Sequence, residues 1–419
     1  MPQAATKLST YLVKQERRLC RFLQSLVRVP TVNPPGENYL ECVQIFEDKL
    51  KSIGLKTKVV RVPDRLVKET LPDCAGYPRY NLLGRLDVGA KKTLHFNGHY
   101  DVVPTSGKWK FGPFEPKIVD GWLYGRGSSD MKGPNAACCF ALEALMKSGQ
   151  TPKVNIEVSF TADEEVGGEL GAGYIVKQGL TKADYAVVCE GGGGRYVGLG
   201  HNGIVWLDVE LTGKAAHGSR PAQGVNAFEQ MAQLAVSLQK LKKVYVRRKF
   251  VTPNGKIIRP TINIGGVFSV GPGSKVNTVP AKASFSIDRR IIPTEKLSEV
   301  EREMQKAIRD AKKDIPRLRA RVTRRMGFEP CLVDSEDPLP QTFAAAVRNV
   351  HGGKTKFSSS TGFTDLHFFV VDGGIPSVGY GAGGQNIHGI DERVRVRDLV
   401  DTAKVYAQVM ATGEWSKIS

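Results

Sequence analysis

Between residues 56 and 190 the chain alternates short apolar, β-branched runs with helical segments, and most of those runs end in an acid or a histidine. KTKVVRV, NLLGRL, KTLHFNGHYD, VNIEVSFTADEE and ADYAVVCE read as strands, and PNAACCFALEALMKS (residues 134–148) reads as a helix. Strand–helix alternation of this kind predicts an α/β layered domain with a largely parallel sheet. In an open sheet of that type, ligand crevices form beyond the strand C-termini, so the polar strand ends can converge on one place.

The texture changes near residue 203. IVWLDVELTGKAAH alternates as a half-exposed strand, PAQGVNAFEQMAQLAVSLQKL is helical, and TINIGGVFSV and KASFSIDRRI are further strands. Thr294 is expected to cap a helix with the stripe Val300, Met304, Ala307, Ile308 and Ala311. RLRARVTRR reads as a strand with Arg317, Arg319 and Arg321 on one face. From about residue 327 helix-then-strand alternation resumes. The expected organisation is a catalytic α/β domain in two pieces, 1–202 and 327–419. It would hold a mostly parallel mixed sheet flanked by helices, interrupted by a smaller α+β domain at 203–326 with an antiparallel sheet and two helices.

Composition narrows the class. Hydrophobic residues make up 41% and charged residues 24%, which suits a globular chain and excludes collagen-like or wholly disordered ones. No run of about 18 apolar residues is present, so no membrane-spanning helix is expected. The opening MPQAATKLSTYLVKQERR lacks the apolar core of a secretory signal, so the expected location is cytoplasmic. Seven cysteines without a CxxC pair suit reduced, buried thiols, Cys189 among them. The 60 Lys+Arg against 42 Asp+Glu leave a net charge of +18, which attracts anions generally. KKVYVRRK (242–249) and the arginines of 317–325 are the strongest nucleic-acid signal, but no recognition motif accompanies them. They read as a solvated cationic face, with neither nucleic acid nor membrane as partner, and the field is expected to steer anionic substrates.

The residues with chemistry are His99, Asp101, Asp130 in GRGSSDMKG, the triple Asp163–Glu164–Glu165, Glu190, and His388 in GAGGQNIHGIDE. A single histidine beside a strand is commonly structural, and a lone acidic triple commonly lies in a solvated loop. Burying so many acids together costs several kcal/mol each unless a cation neutralises them. Two divalent ions would do so, with a shared carboxylate and one histidine for each.

The run NGHYDVVP, GWLYGRGSSDMKG, TADEEVGG, VCEGG, TGKAAHGSRP, NTVPAKASFSIDRR and IHGIDE spans residues from about 80 to 395. It resembles the dinuclear-zinc amidohydrolase and exopeptidase family of acetylornithine deacetylase, succinyl-diaminopimelate desuccinylase, aminoacylase-1 and carboxypeptidase G. The resemblance implies an enzyme that hydrolyses a linear amide, either a deacylase of N-acyl amino acids or a dipeptidase or carboxypeptidase. A non-catalytic basic binding protein on the same fold is a further alternative. It implies two Zn2+ per subunit, with Co2+ or Mn2+ as substitutes.

By the same resemblance His99 and Glu190 would hold one zinc, Glu165 and His388 the other, and Asp130 would bridge them. Asp101 would orient His99, and Glu164 would be the general base acting on the attacking water. The peptide after Asp130 would be cis. His217 would stabilise the oxyanion in the partner subunit's site, the inserted domain serving as lid and dimerisation surface of a homodimer. Asn277 and Arg290 would bind the substrate carboxylate or the oxyanion, and the backbone of Gly383 and Gly384 would offer N–H groups to the same carboxylate. Whether Arg289 or Arg290 faces inward depends on strand parity. Two segments depart from the family pattern, GGGGRYVGLGHNG after Glu190 and STGFTDLHFF (360–369) with its bulky Phe363.

Overall fold

The computed structural model describes residues 3–412 and divides the chain into two compact units. Of the described residues, one unit comprises those up to 200, 333–358 and those from 364 on; the other comprises 201–332 and the excursion 359–363. Among the described residues no helix is long and apolar enough to cross a membrane.

The first unit is a mixed sheet whose strands run in the order Lys56–Arg61, Tyr80–Leu86, Asn155–Thr161, Thr93–His99, Tyr185–Val188, Ser377–Gly379, Tyr196–His201. The middle of the sheet is parallel: Thr93–His99 lies between Asn155–Thr161 and Tyr185–Val188, and Ser377–Gly379 continues the same direction. Outer pairs are antiparallel. Every residue of Thr93–His99 and Asn155–Thr161 is buried. Both strands nevertheless alternate apolar and polar residues, and the buried polar side chains His95 and Asn97 bond Glu157, Ser159 and Thr161 across the pair. Helix Lys132–Lys147 is buried along nearly all its length, and Val396–Thr412 packs against it. Ala-rich turns (Ala136, Ala137, Ala141, Ala144) permit that close approach.

The second unit is a four-stranded antiparallel sheet in the order Thr261–Val270, Lys282–Ile291, Gly203–Thr212, Ala320–Phe328. Helices Ala227–Leu238 and Leu297–Ala311 cover one face. Along Lys282–Ile291, Ala283, Phe285, Ile287, Arg289 and Ile291 are buried while the alternate residues are partly exposed. That is the period-2 pattern of a sheet with one face packed.

Two local expectations are corrected. Thr294 does not cap the second helix, which begins at Leu297 after Lys296. The first-turn donor Leu297 N–H instead gives its hydrogen to Glu329 Oε2 at 2.8 Å, an acceptor from 32 residues away. Arg317, Arg319 and Arg321 do not share a strand face, since only Arg321 lies within the strand and Arg319 immediately precedes it. Arg317 adopts φ +62° ahead of the strand, which begins at Ala320. Phe363, carried by the short excursion, stacks on Phe328 with ring centroids 5.3 Å apart. All seven cysteines are unpaired and buried.

Candidate metal centre

Three parallel strands of the first unit deliver the polar residues to one edge. His99 closes Thr93–His99, Glu164 and Glu165 follow Asn155–Thr161 in a single 3-10 turn, and Glu190 follows Tyr185–Val188. Asp130 sits in the loop entering helix Lys132–Lys147, and the Asp130–Met131 peptide is cis. His388 lies in the loop before the strand Arg393–Arg395.

His99 Nδ1 is 3.0 Å from the main-chain oxygen of Asp101. A carbonyl only accepts, so Nδ1 carries a hydrogen and Nε2 is left to face the acids. Nε2 lies 3.2 Å from Asp130 Oδ1 and 3.8 Å from Glu164 Oε2. The other oxygen of Asp130, Oδ2, lies 3.1 Å from His388 Nε2, which is also 3.1 Å from Glu165 Oε2. Asp130 thus offers one oxygen to each imidazole. Ligand atoms of His99, Glu164 and Glu190 lie within 4.8 Å of one another, as do those of His99, Asp130 and Glu165.

The carboxylate of Asp101 is 3.5 Å from the His99 ring, so the ring is held through the main chain. The Asp101 oxygens instead accept from Asn33 Nδ2 (2.9 Å) and from the main-chain N–H groups of Glu164 (3.2 Å) and Glu165 (3.3 Å). Asp101 therefore fixes the turn from which both glutamates project.

Four acids and two imidazoles share this edge. Burial pushes Glu164 well above the carboxylate range, helped by the charge of Glu190. Burial raises Glu190 likewise, with Asp130 beside it, and raises Glu165. For Asp130 burial works the same way, but His388 and His99 outweigh it and hold the carboxyl below its usual range. The same contacts, to Asp130 first and then Glu165, lift His388 to about 10. Glu190 Oε2 is buried without a hydrogen-bond partner among the described residues. An unpartnered buried carboxylate oxygen beside further acids calls for positive charge, and this N/O donor set fits a divalent ion such as zinc, cobalt or manganese.

The remaining sequence-predicted residues are distributed as follows. Gly383, at φ +66°, and Gly384 lie on the same exposed loop as His388. A Cβ on Gly384 would fall 2.2 Å from Ser129 Cβ, so only glycine lets this loop approach the Asp130 loop so closely. His217 and Asn277 belong to the second unit. There His217 is exposed, with Nδ1 2.8 Å from Ser219 Oγ, and Asn277 O accepts from Gly218 N–H at 2.7 Å. Strand parity separates the two arginines. Arg289 is buried, paired with Glu295 at 2.7 Å and stacked 4.0 Å over Tyr245. Arg290 is on the opposite face, partly exposed beside Asp288.

Three further acids of these same segments, Asp163, Asp365 and Glu392, support the edge without being candidate ligands. Asp163, at φ +65°, turns away from its two neighbours, and its Oδ1 accepts from Asn33 Nδ2 and Tyr39 OH, each at 2.9 Å. Its Oδ2 pairs with Arg79 Nε. Burial lifts Asp163 to about 6. Asp365 is buried within reach of Thr161 Oγ1 (3.5 Å), and burial lifts it to about 7. Glu392 accepts from the loop that carries Asp130.

Residues 95–412 match the family described as peptidase family M20/M25/M40. The chain is 28% identical over 406 residues to an uncharacterized metallohydrolase of Methanocaldococcus jannaschii, covering 92% of this chain and 97% of that one. It is 27% identical over 395 residues to the succinyl-diaminopimelate desuccinylase of Psychromonas ingrahamii, covering 92% and 96%. In fold it is similar to an M20 family metallo-carboxypeptidase of Sulfolobus solfataricus (TM-score 0.76, 21% identity, 94% and 98% covered). It is similar also to a di-peptidase of Saccharomyces cerevisiae (TM-score 0.76, 18% identity, 99% and 100% covered). With three quarters of its length matched and the acid–histidine edge in place, the chain belongs to peptidase family M20/M25/M40, metal-dependent hydrolases of amide bonds.

Proposed function

We propose that the protein removes the acyl group from an N-acyl amino acid at a two-metal centre. The observation that carries this reading is the Asp130 carboxylate, with one oxygen directed at His99 and the other at His388. His99 and Glu190 would hold one ion, Glu165 and His388 the other, and Asp130 both. Two Zn2+, or Co2+ or Mn2+ in their place, would supply a lowered water pKa and polarisation of the scissile carbonyl. Glu164, buried and raised, would take the proton from the attacking water and return it to the leaving amine. Asp101 would keep Glu164 and Glu165 apart by holding the turn between them.

Arg290, partly exposed, would meet the substrate carboxylate with its fork, assisted by Asn277 and the N–H groups of Gly383 and Gly384. His217 would act on the oxyanion in the partner subunit of a homodimer. The net charge of +18 would steer such anionic substrates. Relatives named as succinyl-diaminopimelate desuccinylases, matched over 96% of their length, favour the deacylase reading. The carboxypeptidase and di-peptidase among similar folds keep peptide cleavage as the second reading.

Release of free amine from a panel of N-acyl amino acids and dipeptides, with and without chelator, tests both. Chelator-sensitive release from N-acyl amino acids supports the deacylase. Release from dipeptides alone favours the peptidase, and chelator-insensitive turnover overturns the metal centre.

A further inference from the structure

The candidate ligands Asp130 and His388 come from loops more than 250 residues apart in sequence, and one buried carboxylate ties those loops together. Glu392, fully buried, lies four residues after His388. Its Oε1 accepts from Ser129 N–H (3.0 Å), Ser129 Oγ (3.0 Å) and Asp130 N–H (3.1 Å). Its Oε2 accepts from Gly127 N–H (3.0 Å) and Arg126 Nη1 (2.7 Å). Its main-chain oxygen accepts from Gly125 N–H at 2.9 Å. Arg126, also buried, sends Nη2 to the oxygen of Gly389, next to His388, at 3.2 Å.

Five donors therefore meet one carboxylate, which has about four lone-pair positions to offer. Four of the five come from the three residues Gly127, Ser129 and Asp130, so the carboxylate dictates the path of the backbone up to the Asp130 side chain. Because Glu392 and Gly389 lie on the His388 loop, the same contacts set that loop in register with Asp130. The arrangement also counts acceptors closely. Glutamine would turn one acceptor into a donor facing N–H groups.

We propose that Glu392 is a positioning residue of the metal centre, setting Asp130 and His388 against each other and so the affinity for the ion they share. The inference rests on the metal-centre reading above. Residues that support ligands in this way typically change metal affinity by about ten- to a hundred-fold when altered.

The test titrates the full-length protein with Zn2+ against a chromophoric chelator, and with Co2+ while recording its visible absorption. Glu392→Gln should fold, as judged by circular dichroism, bind one ion about ten- to a hundred-fold more weakly, and show an altered Co2+ spectrum. Glu143→Gln is the control for a merely structural loss. Glu143 is a buried carboxylate bound by Tyr11 and Arg18, and its replacement should lower the melting temperature without moving affinity or spectrum. Unchanged affinity and spectrum in folded Glu392→Gln overturn the inference while leaving the metal centre standing. If that variant does not fold, Ser129→Ala, which removes one of the five donors, should loosen the same ion by about ten-fold; wild-type affinity there overturns it equally. A wild-type protein that takes up no ion overturns both readings together.

Discussion

Arg79 Nε lies 2.6 Å from Asp163 Oδ2, and neither side chain reaches solvent. The pair closes a chain of contacts from Arg79 through Asp163 and Asn33 to Asp101, and from there to the turn bearing Glu164 and Glu165. Removing one member of a buried pair leaves an uncompensated charge, at a cost of about 3–5 kcal/mol. Arg79→Met is expected to destabilise the protein by that order in urea titration. It should also cut turnover in the fraction that remains folded. A variant of wild-type stability would show that Asp163 is neutralised by other means.

Glu164 is raised by burial and sits among the donors of His99 and Glu190. Glu164→Gln is expected to lower kcat about a hundred- to ten-thousand-fold while the bound metal stays at the wild-type level. Metal analysis alongside single-turnover kinetics checks this. Loss of an ion with the substitution would assign Glu164 to the metal rather than to the proton.

Away from the centre, Glu157 titrates anomalously. Burial works against its charge, but His95, Thr181 Oγ and the Lys182 N–H outweigh that and lower it to about 2. An acid depressed from about 4.3 in the unfolded chain contributes stability above that pH, on the order of 3 kcal/mol. The contribution is lost as pH falls towards 2, with about half of it gone at pH 3. The stability gap between wild type and Glu157→Gln should therefore narrow from pH 7 to pH 3, and a constant gap would contradict the assignment.

The edge strand Thr261–Val270 of the inserted unit leaves Phe268 69% exposed and Val267 60% exposed. An exposed apolar edge is a ready template for pairing with another chain. If it builds the proposed homodimer, Phe268→Asp should weaken association by about 2 kcal/mol or more, and activity should fall with it if His217 serves the partner as proposed. Light scattering and turnover on the same samples check both, and a fully active monomer would exclude the arrangement.

The parts of the site that were legible are those in which a polar residue terminates an apolar strand. His99, Glu164, Glu165 and Glu190 stand out as a set, because three strands in turn end in an acid or histidine, whereas each alone has an ordinary structural reading. Asp163 misleads, because its positive φ turns it from its neighbours and towards Arg79, whose position 84 residues earlier carries no periodic signal. The missed cap at Thr294 has the same origin: Glu329 supplies the acceptor from a distant segment. The choice between Arg289 and Arg290 needed only the parity of one strand, but parity is invisible until the pairing with Gly203–Thr212 is known.

The seven buried thiols have a use unconnected with catalysis. Burial lifts Cys42 to about 11 and Cys139 to about 12, so at neutral pH neither presents a thiolate to an alkylating reagent in the native state. Cys139 and Cys189 lie in the first unit and Cys331 at the end of the second, so each reports the opening of its own surroundings. Timed alkylation followed by peptide mapping would read out which unit breathes first, with no added probe.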